Sequence, residues 1–312
     1  MTDFDLIMAA YRASGGDPEL LASNDVARLV VSGNEVIGAN AIPGISMTAD
    51  PLEDGVRVAL QVAPGARISK PVHLCFGVLP ESGVQRIIST FEIGAGAEVS
   101  FLTHCTFPNA VQVQHVMDGE IHVGPGATMR YHETHYHGEQ GGTDVRPVAR
   151  VRVDRDGRYY STFSLSHGRA GKVAFAYEVD VAEDGVAELD ARVMGYGDDE
   201  VIVRETIRLN GEGARGLAKS RIAVRERARS EVYGTTEGNA PRTRGHVDCV
   251  EIVRDEAIAN AVPVVRVTNP QAQVTHEAAI GTVDKKQLET LLSRGLTEER
   301  AVDVIVRGML GD

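Results

Sequence analysis

PGATMRYHETHYHGEQGGTDVRPVARVRVDRDG, residues 125–157, runs from one glycine-marked corner to the next. The distance between those corners decides the fold. Similar corners recur at Gly65 (PGARI), Gly96 (AGAEV), Gly126 (PGATM), Gly157 (DGRYY), Gly185 (DGVAEL) and Gly213 (EGARGL), spaced 31, 30, 31, 28 and 28 residues apart. Each opens a run that soon reaches an apolar residue: Ile68, Val99, Met129, Tyr160, Leu189 and Leu217. Glycine suits such a corner because a tight turn between strands needs a backbone that tolerates positive φ. A period of about 20–50 residues is the mark of stacked repeats. A meandering β-sandwich would turn more often, about every 8–12 residues. The expected architecture is therefore mainly β, a solenoid with one rung every thirty residues or so.

Outward from the repeat, composition agrees. The 312 residues include 33 glycines, few aromatics and no tryptophan, a mix suited to many short strands joined by tight turns. The formal net charge of −12 argues against nucleic acid or an anionic membrane as partner. No apolar run is long enough to span a bilayer, and MTDFDLIMAA lacks a basic leader. Cys75, Cys105 and Cys249 are too widely spaced for a disulfide framework, which fits a reducing cytoplasm.

The ends read as helical. In DFDLIMAAYRA (3–13), Leu6, Ala9, Ala10 and Ala13 share a side, and Asp17-Pro18 can start a second short helix. Residues 1–24 are expected to form an N-terminal helical cap and 25–282 the β body. Residues 283–312 are expected to form a helical hairpin. Asp284 and Thr297 are its N-caps, Gly295 separates the helices, and Leu288, Leu291 and Leu292 stand at i, i+3 and i+4. The second helix carries Ala301, Val302, Val304, Ile305, Val306, Met309 and Leu310, an apolar face too wide for one small neighbouring helix. Such a face either folds back on its own domain or docks another protein.

The string THEAAIG, D-x-x-Q-L, L-x-S-R-G-L-T-E-E-x-A and V-x-G-M-L, over residues 275–310, resembles the carboxy-terminal core of the SufB/SufD family of iron–sulfur cluster assembly proteins. A looser likeness extends upstream through SEVYGTTEGNAPRTRGHVDC (230–249). The resemblance implies a right-handed parallel β-helix with short helical segments at both ends, in a short SufB/SufD-like form. It further implies a scaffold or scaffold partner that pairs with another such subunit, as homodimer or heterodimer, and forms a transient cluster site at the subunit junction. The hairpin would dock a SufC-type ATPase through Leu288, Leu291, Leu292, Ala301, Ile305 and Met309. The chain itself has no G-x-x-x-x-G-K-[ST] loop, so it is expected to bind no nucleotide and to be no enzyme.

Two constellations could carry chemistry. Cys249, with His246 close by, precedes His276-Glu277 by 27 residues, about one rung, so thiol and imidazole can be stacked neighbours. Thiolate, imidazole and carboxylate are suitable ligands for iron or a nascent cluster. In SufB-type proteins the resemblance implies a sulfur-accepting cysteine a few residues before the proline of the penultimate strand. Ala257–Val262 before Pro263 hold none. The chain thus reads either as the SufD-like half of a site or as a short form in which Cys249 accepts sulfur. The second constellation is YHETHYHG, where Glu133, His135 and His137 share one face of a strand at transition-metal ligand spacing. His104, His115, His122 and His167 could approach it. This supports an alternative function, a mononuclear metalloenzyme on a β scaffold.

Overall fold

The computed structural model describes residues 3–13 and 15–311; Met1, Thr2 and Ser14 of the expected N-terminal cap, and Asp312 of the hairpin, lie outside the described residues. Helices α1 (Asp3–Ala13) and α2 (Pro18–Ala22) lead into two antiparallel hairpins. These are β1 (Arg28–Ser32) with β2 (Glu35–Asn40), and β3 (Ile45–Leu52) with β4 (Gly55–Val62). Then follow β5 (Val72–Gly77), β6 (Ser82–Ile93), β7 (Glu98–Phe107), β8 (Gln112–Val123) and β9 (Thr128–His137). The next five are β10 (Thr143–Val153), β11 (Arg158–His167), β12 (Lys172–Val181), β13 (Val186–Gly195) and β14 (Glu200–Leu209). The body closes with β15 (Arg215–Val224), β16 (Arg229–Gly238), β17 (Arg244–Val253), β18 (Ile258–Val267) and β19 (Gln273–Gly281), before α3 (Lys285–Ser293) and α4 (Glu298–Leu310).

From β4 onward the chain winds as a parallel β-solenoid of about eight turns, each contributing one strand to each of two sheets. Even-numbered strands stack in order from β4 to β18, with β3 outside β4. Odd-numbered strands run from β5 to β19, with β1 and β2 outside β5. Parallel register puts side chains in columns, for example Phe101–Tyr131–Ser161–Leu189–Ala218–Val247–His276. Alternate residues face the interior and form one continuous apolar core between the sheets.

The corners explain the repeat. Gly65, Gly96, Gly126 and Gly213 have φ of 71°, 67°, 65° and 73°. At the two intervening corners the left-handed residue is Asp156 (58°) or Asp184 (52°), one position before the quoted glycine. Aspartate tolerates this region because its short polar side chain can bond locally. The corners stack, each amide donating to a carbonyl one rung on: Gly65 to Ala95, Gly96 to Pro125, Gly126 to Arg155, Asp156 to Glu183, Asp184 to Glu212 and Gly213 to Pro241, at 2.8–3.0 Å.

Both helical segments lie on the outer face of the odd-numbered sheet. Ile7, Tyr11 and Leu21 pack on Val30 and Cys75, while Val72, Leu74 and Phe76 of the same strand face the interior. Tyr11 also contacts His73 through its hydroxyl at 2.9 Å. At the other end Val302, Val306 and Leu310 of α4 cover Ala223 and Ile252, and the Leu310 carbonyl accepts from Arg192 Nη1 at 3.2 Å. Neither segment covers the last rung, because each is held by an apolar column on the sheet face. β18 and β19 are left with Ile258, Val264, Val265, Val267 and Ile280 exposed. No helix among the described residues is long and apolar enough to cross a membrane.

Candidate functional site

At the carboxy-terminal end, register separates the residues expected to act together. Cys249 lies beside Ala278, and His276 beside Val247. Thiol and imidazole therefore share the interior-facing side of adjacent strands, offset by two positions. His246 pairs with Thr275 and Glu277 with Asp248, so alternation places both on the outer side. His246 Nδ1 lies 2.8 Å from Thr275 Oγ1. Cys249 and His276 can act on one ligand, whereas His246 and Glu277 belong to the opposite face.

Cys249 is 1% exposed, while His276, on the uncovered strand, is exposed. Burial pushes the Cys249 thiol up, Ser220 beside it in register opposes this, and Glu205, Glu251 and Asp248 add to it. The lumen is narrow here: a Cβ on Gly234, opposite, would lie 3.7 Å from Cys249 Sγ and 2.7 Å from Val247 Cγ1. Glu251 accepts from Ser230 Oγ at 2.5 Å, and its other oxygen has no partner among the described residues. Glu205 and Glu251 carry no sequence motif. Only the parallel register shows that they face the same interior as Cys249.

The hairpin divides the residues expected to dock an ATPase. Ala301 is fully buried and Leu288 and Met309 pack toward the cluster that holds α4 on the sheet. Ala301 is therefore corrected from a docking residue to a residue buried within the chain's own fold. Leu291, Ile305 and the outer part of Met309 instead line an open groove of about 1090 Å³ that continues onto Ala279 and Ile280 of β19. Leu292 is 38% exposed on α3 and lies outside this groove.

The histidine-rich strand β9 turns its ligands inward. Met129, Tyr131, Glu133, His135 and His137 alternate into the interior, and the last three are 3%, 1% and 2% exposed. Of the other histidines, His115 comes to 6.0 Å from His135, ring centroid to centroid. His104 sits under α1 against the Tyr11 ring. His122 is on the outside between Glu92 and Asp154, and His167 is exposed.

A directed chain of hydrogen bonds fixes the tautomers. His137 Nδ1 lies 3.0 Å from the Arg169 carbonyl, which can only accept, so Nδ1 carries the proton. His137 Nε2 then accepts from His135 Nδ1–H at 3.2 Å. This leaves a lone pair on His135 Nε2, 2.8 Å from Glu133 Oε1. Burial pushes both imidazoles down to about 3 and the Glu133 carboxyl up to about 7, with Tyr177 and Tyr131 opposing the latter. Cys105, directly beside His135 in register, completes a set whose ligand atoms all lie within 4.8 Å of one another. Sequence spacing could not find Cys105, because its partner is a full rung away.

The chain matches the family model described as SUF system FeS cluster assembly, SufBD core domain, over residues 84–309. It is 35% identical over 306 residues to an iron–sulfur cluster assembly SufBD family protein of Methanocaldococcus jannaschii, covering 98% of this chain and 97% of that one. A SufBD family protein of Pyrococcus horikoshii is 34% identical over 310 residues, 99% of this chain and 94% of the relative. A second, longer one from that organism is 28% identical over 256 residues, 81% of this chain and 56% of the relative.

Proposed function

The chain belongs to the SufBD family of iron–sulfur cluster assembly proteins, and we propose that it serves as a scaffold subunit whose open last rung pairs with a second SufB/SufD-type subunit. The observation that carries this reading is the bare end of the solenoid. Sheet edges left unpaired in water are templates for another chain, and here they coincide with exposed Val264, Val265, Val267 and Ile280.

The cluster is cargo, built at the junction. His276, on the exposed strand, would be its first ligand from this chain. Cys249, one rung deeper, would join when β18 and β19 shift. A SufC-type ATPase seated in the groove between Leu291, Ile305 and β19 would drive that shift, because the groove touches both the hairpin and the covering strand. The chain would then act mechanically and would not catalyse. A reducing cytoplasm suits its three free cysteines.

The metalloenzyme reading is weaker. Glu133 borders a cavity of only about 30 Å³, room for about one water or ion and for no organic substrate.

The test is anaerobic co-purification of the tagged full-length chain with the SufC-type ATPase of its source. The ATPase should be retained by the wild type and lost from Leu291→Glu and Ile305→Glu, whose melting temperatures should stay close to wild type because neither side chain is buried. Folded wild-type chain that emerges without the ATPase would sink the docking reading.

A further inference from the structure

We propose that Cys105 Sγ, a Glu133 oxygen and His135 Nε2 form a metal site inside the solenoid for a single divalent transition ion, zinc or ferrous iron. The site needs neither a partner subunit nor an ATPase, so it stands apart from the scaffold reading.

The donor set comes first. Thiolate, imidazole and carboxylate together suit zinc or ferrous iron, and suit magnesium or calcium poorly. Bonds of about 2.0–2.3 Å to one tetrahedral ion put ligand atoms about 3.5 Å apart. The three atoms already lie within 4.8 Å of one another, so rotations within these side chains close the set.

Orientation is the second observation. A metal-binding histidine usually has its other nitrogen held by an outer partner, which fixes the tautomer. His135 has this: its Nδ1–H is held by His137, which is held in turn by the Arg169 carbonyl and Thr143 Oγ1. The lone pair of His135 Nε2 therefore already points at Glu133, accepting from its protonated carboxyl until an ion takes that proton's place.

His115 is the third. It is fully buried, stands beside His135, and neither of its ring nitrogens has a partner among the described residues. A buried imidazole with both nitrogens unsatisfied is costly unless something nearby uses them. It is the neighbour able to supply a further nitrogen.

The even-numbered sheet offers the access route. The small cavity at Glu133 is walled there by Gly119, Pro147 and Ala149. The ladder between β10 and β12 skips Arg146 and Pro147, the latter having no amide hydrogen to donate. Binding would expel the Cys105 thiol proton, and the Glu133 proton where present, to solvent.

Cobalt is the probe, titrated without oxygen into the metal-free full-length chain. One equivalent should bind and give a sulfur-to-cobalt charge-transfer band in the near ultraviolet. Cys105→Ser should abolish the band, and Glu133→Gln and His135→Ala should weaken binding at least about tenfold. Cys75→Ser and Cys249→Ser should leave it intact, which separates this site from the last rung. Zinc or ferrous iron, added in turn, should displace the cobalt. X-ray absorption of the zinc-loaded wild type needs no variant to fold and should show one sulfur with nitrogen and oxygen neighbours. The proposal is overturned by the absence of a stoichiometric band, by a band that survives Cys105→Ser, by displacement with neither ion, or by a zinc shell without sulfur.

Discussion

Glu205 faces the interior from β14 at 3% exposure, and burial, with Asp190 adding to it, pushes its carboxyl up to about 8 from an ordinary 4.5. A carboxyl whose folded pKa is raised costs nothing below 4.5, where both states are neutral. Its penalty grows as pH climbs from 4.5 through about 8, where the unfolded chain ionises freely and the folded one resists. Glu133 acts in the same direction up to about 7. Buried His135 and His137 act oppositely: their folded values are depressed, so stability is lost as pH falls below the ordinary 6.5 toward about 3. Glu205→Gln should therefore be more stable than wild type at pH 9, by at most about 5 kcal/mol, and close to it at pH 4. Urea unfolding at the two pH values checks this; an offset independent of pH would refute it. The shared face of Glu133, His135 and His137 was legible from strand alternation alone. Its inward direction was not, because a strand so rich in ionisable groups looks like a solvent face until register closes the second sheet over it. For Cys249 and His276, the 27-residue spacing placed them on neighbouring strands but two positions out of register.

At the scale of elements, the glycine period found the rungs because a left-handed corner is a backbone requirement that sequence displays directly. It slipped by one residue at Gly157 and Gly185, where Asp156 and Asp184 take the left-handed position. It also missed the following corner, where Arg242 has φ of 57° and no glycine marks the spot. A Cβ on Gly126 would meet nothing within 4 Å, so Gly126→Ala isolates the cost of φ alone. It should destabilise by about 1 kcal/mol, whereas Asp156→Gly relieves the same strain and should be near neutral. Equal losses from both, measured by denaturant midpoint, would show that corner stacking and not backbone strain sets the cost. The helices were legible from their caps, since Asp284 accepts from Gln287 N at 2.8 Å and Thr297 from Arg300 N at 3.4 Å. The two uses of α4 were not separable in sequence. Its apolar face is too wide for one neighbour: the sheet takes Val302, Val306 and Leu310, while Val304 and Ile305 border the groove.

At the scale of the whole molecule, the solenoid is closed by hairpins at its beginning and open at its last rung. Sequence could suggest that helices cover the ends. Only the fold shows both helical segments on the flank of one sheet, where outward apolar columns hold them, with β18 and β19 bare. The central claim is that this bare rung is a pairing face. The most direct measurement is the mass, by anaerobic native mass spectrometry, of the complex captured by the tagged chain when co-expressed with the SufC-type ATPase and SufB/SufD-type subunits of its source. Two SufB/SufD-type subunits per complex are predicted for the wild type, and one for Val265→Arg with Val267→Arg. A wild-type complex holding a single such subunit, or a two-subunit mass unchanged by these substitutions, would contradict it.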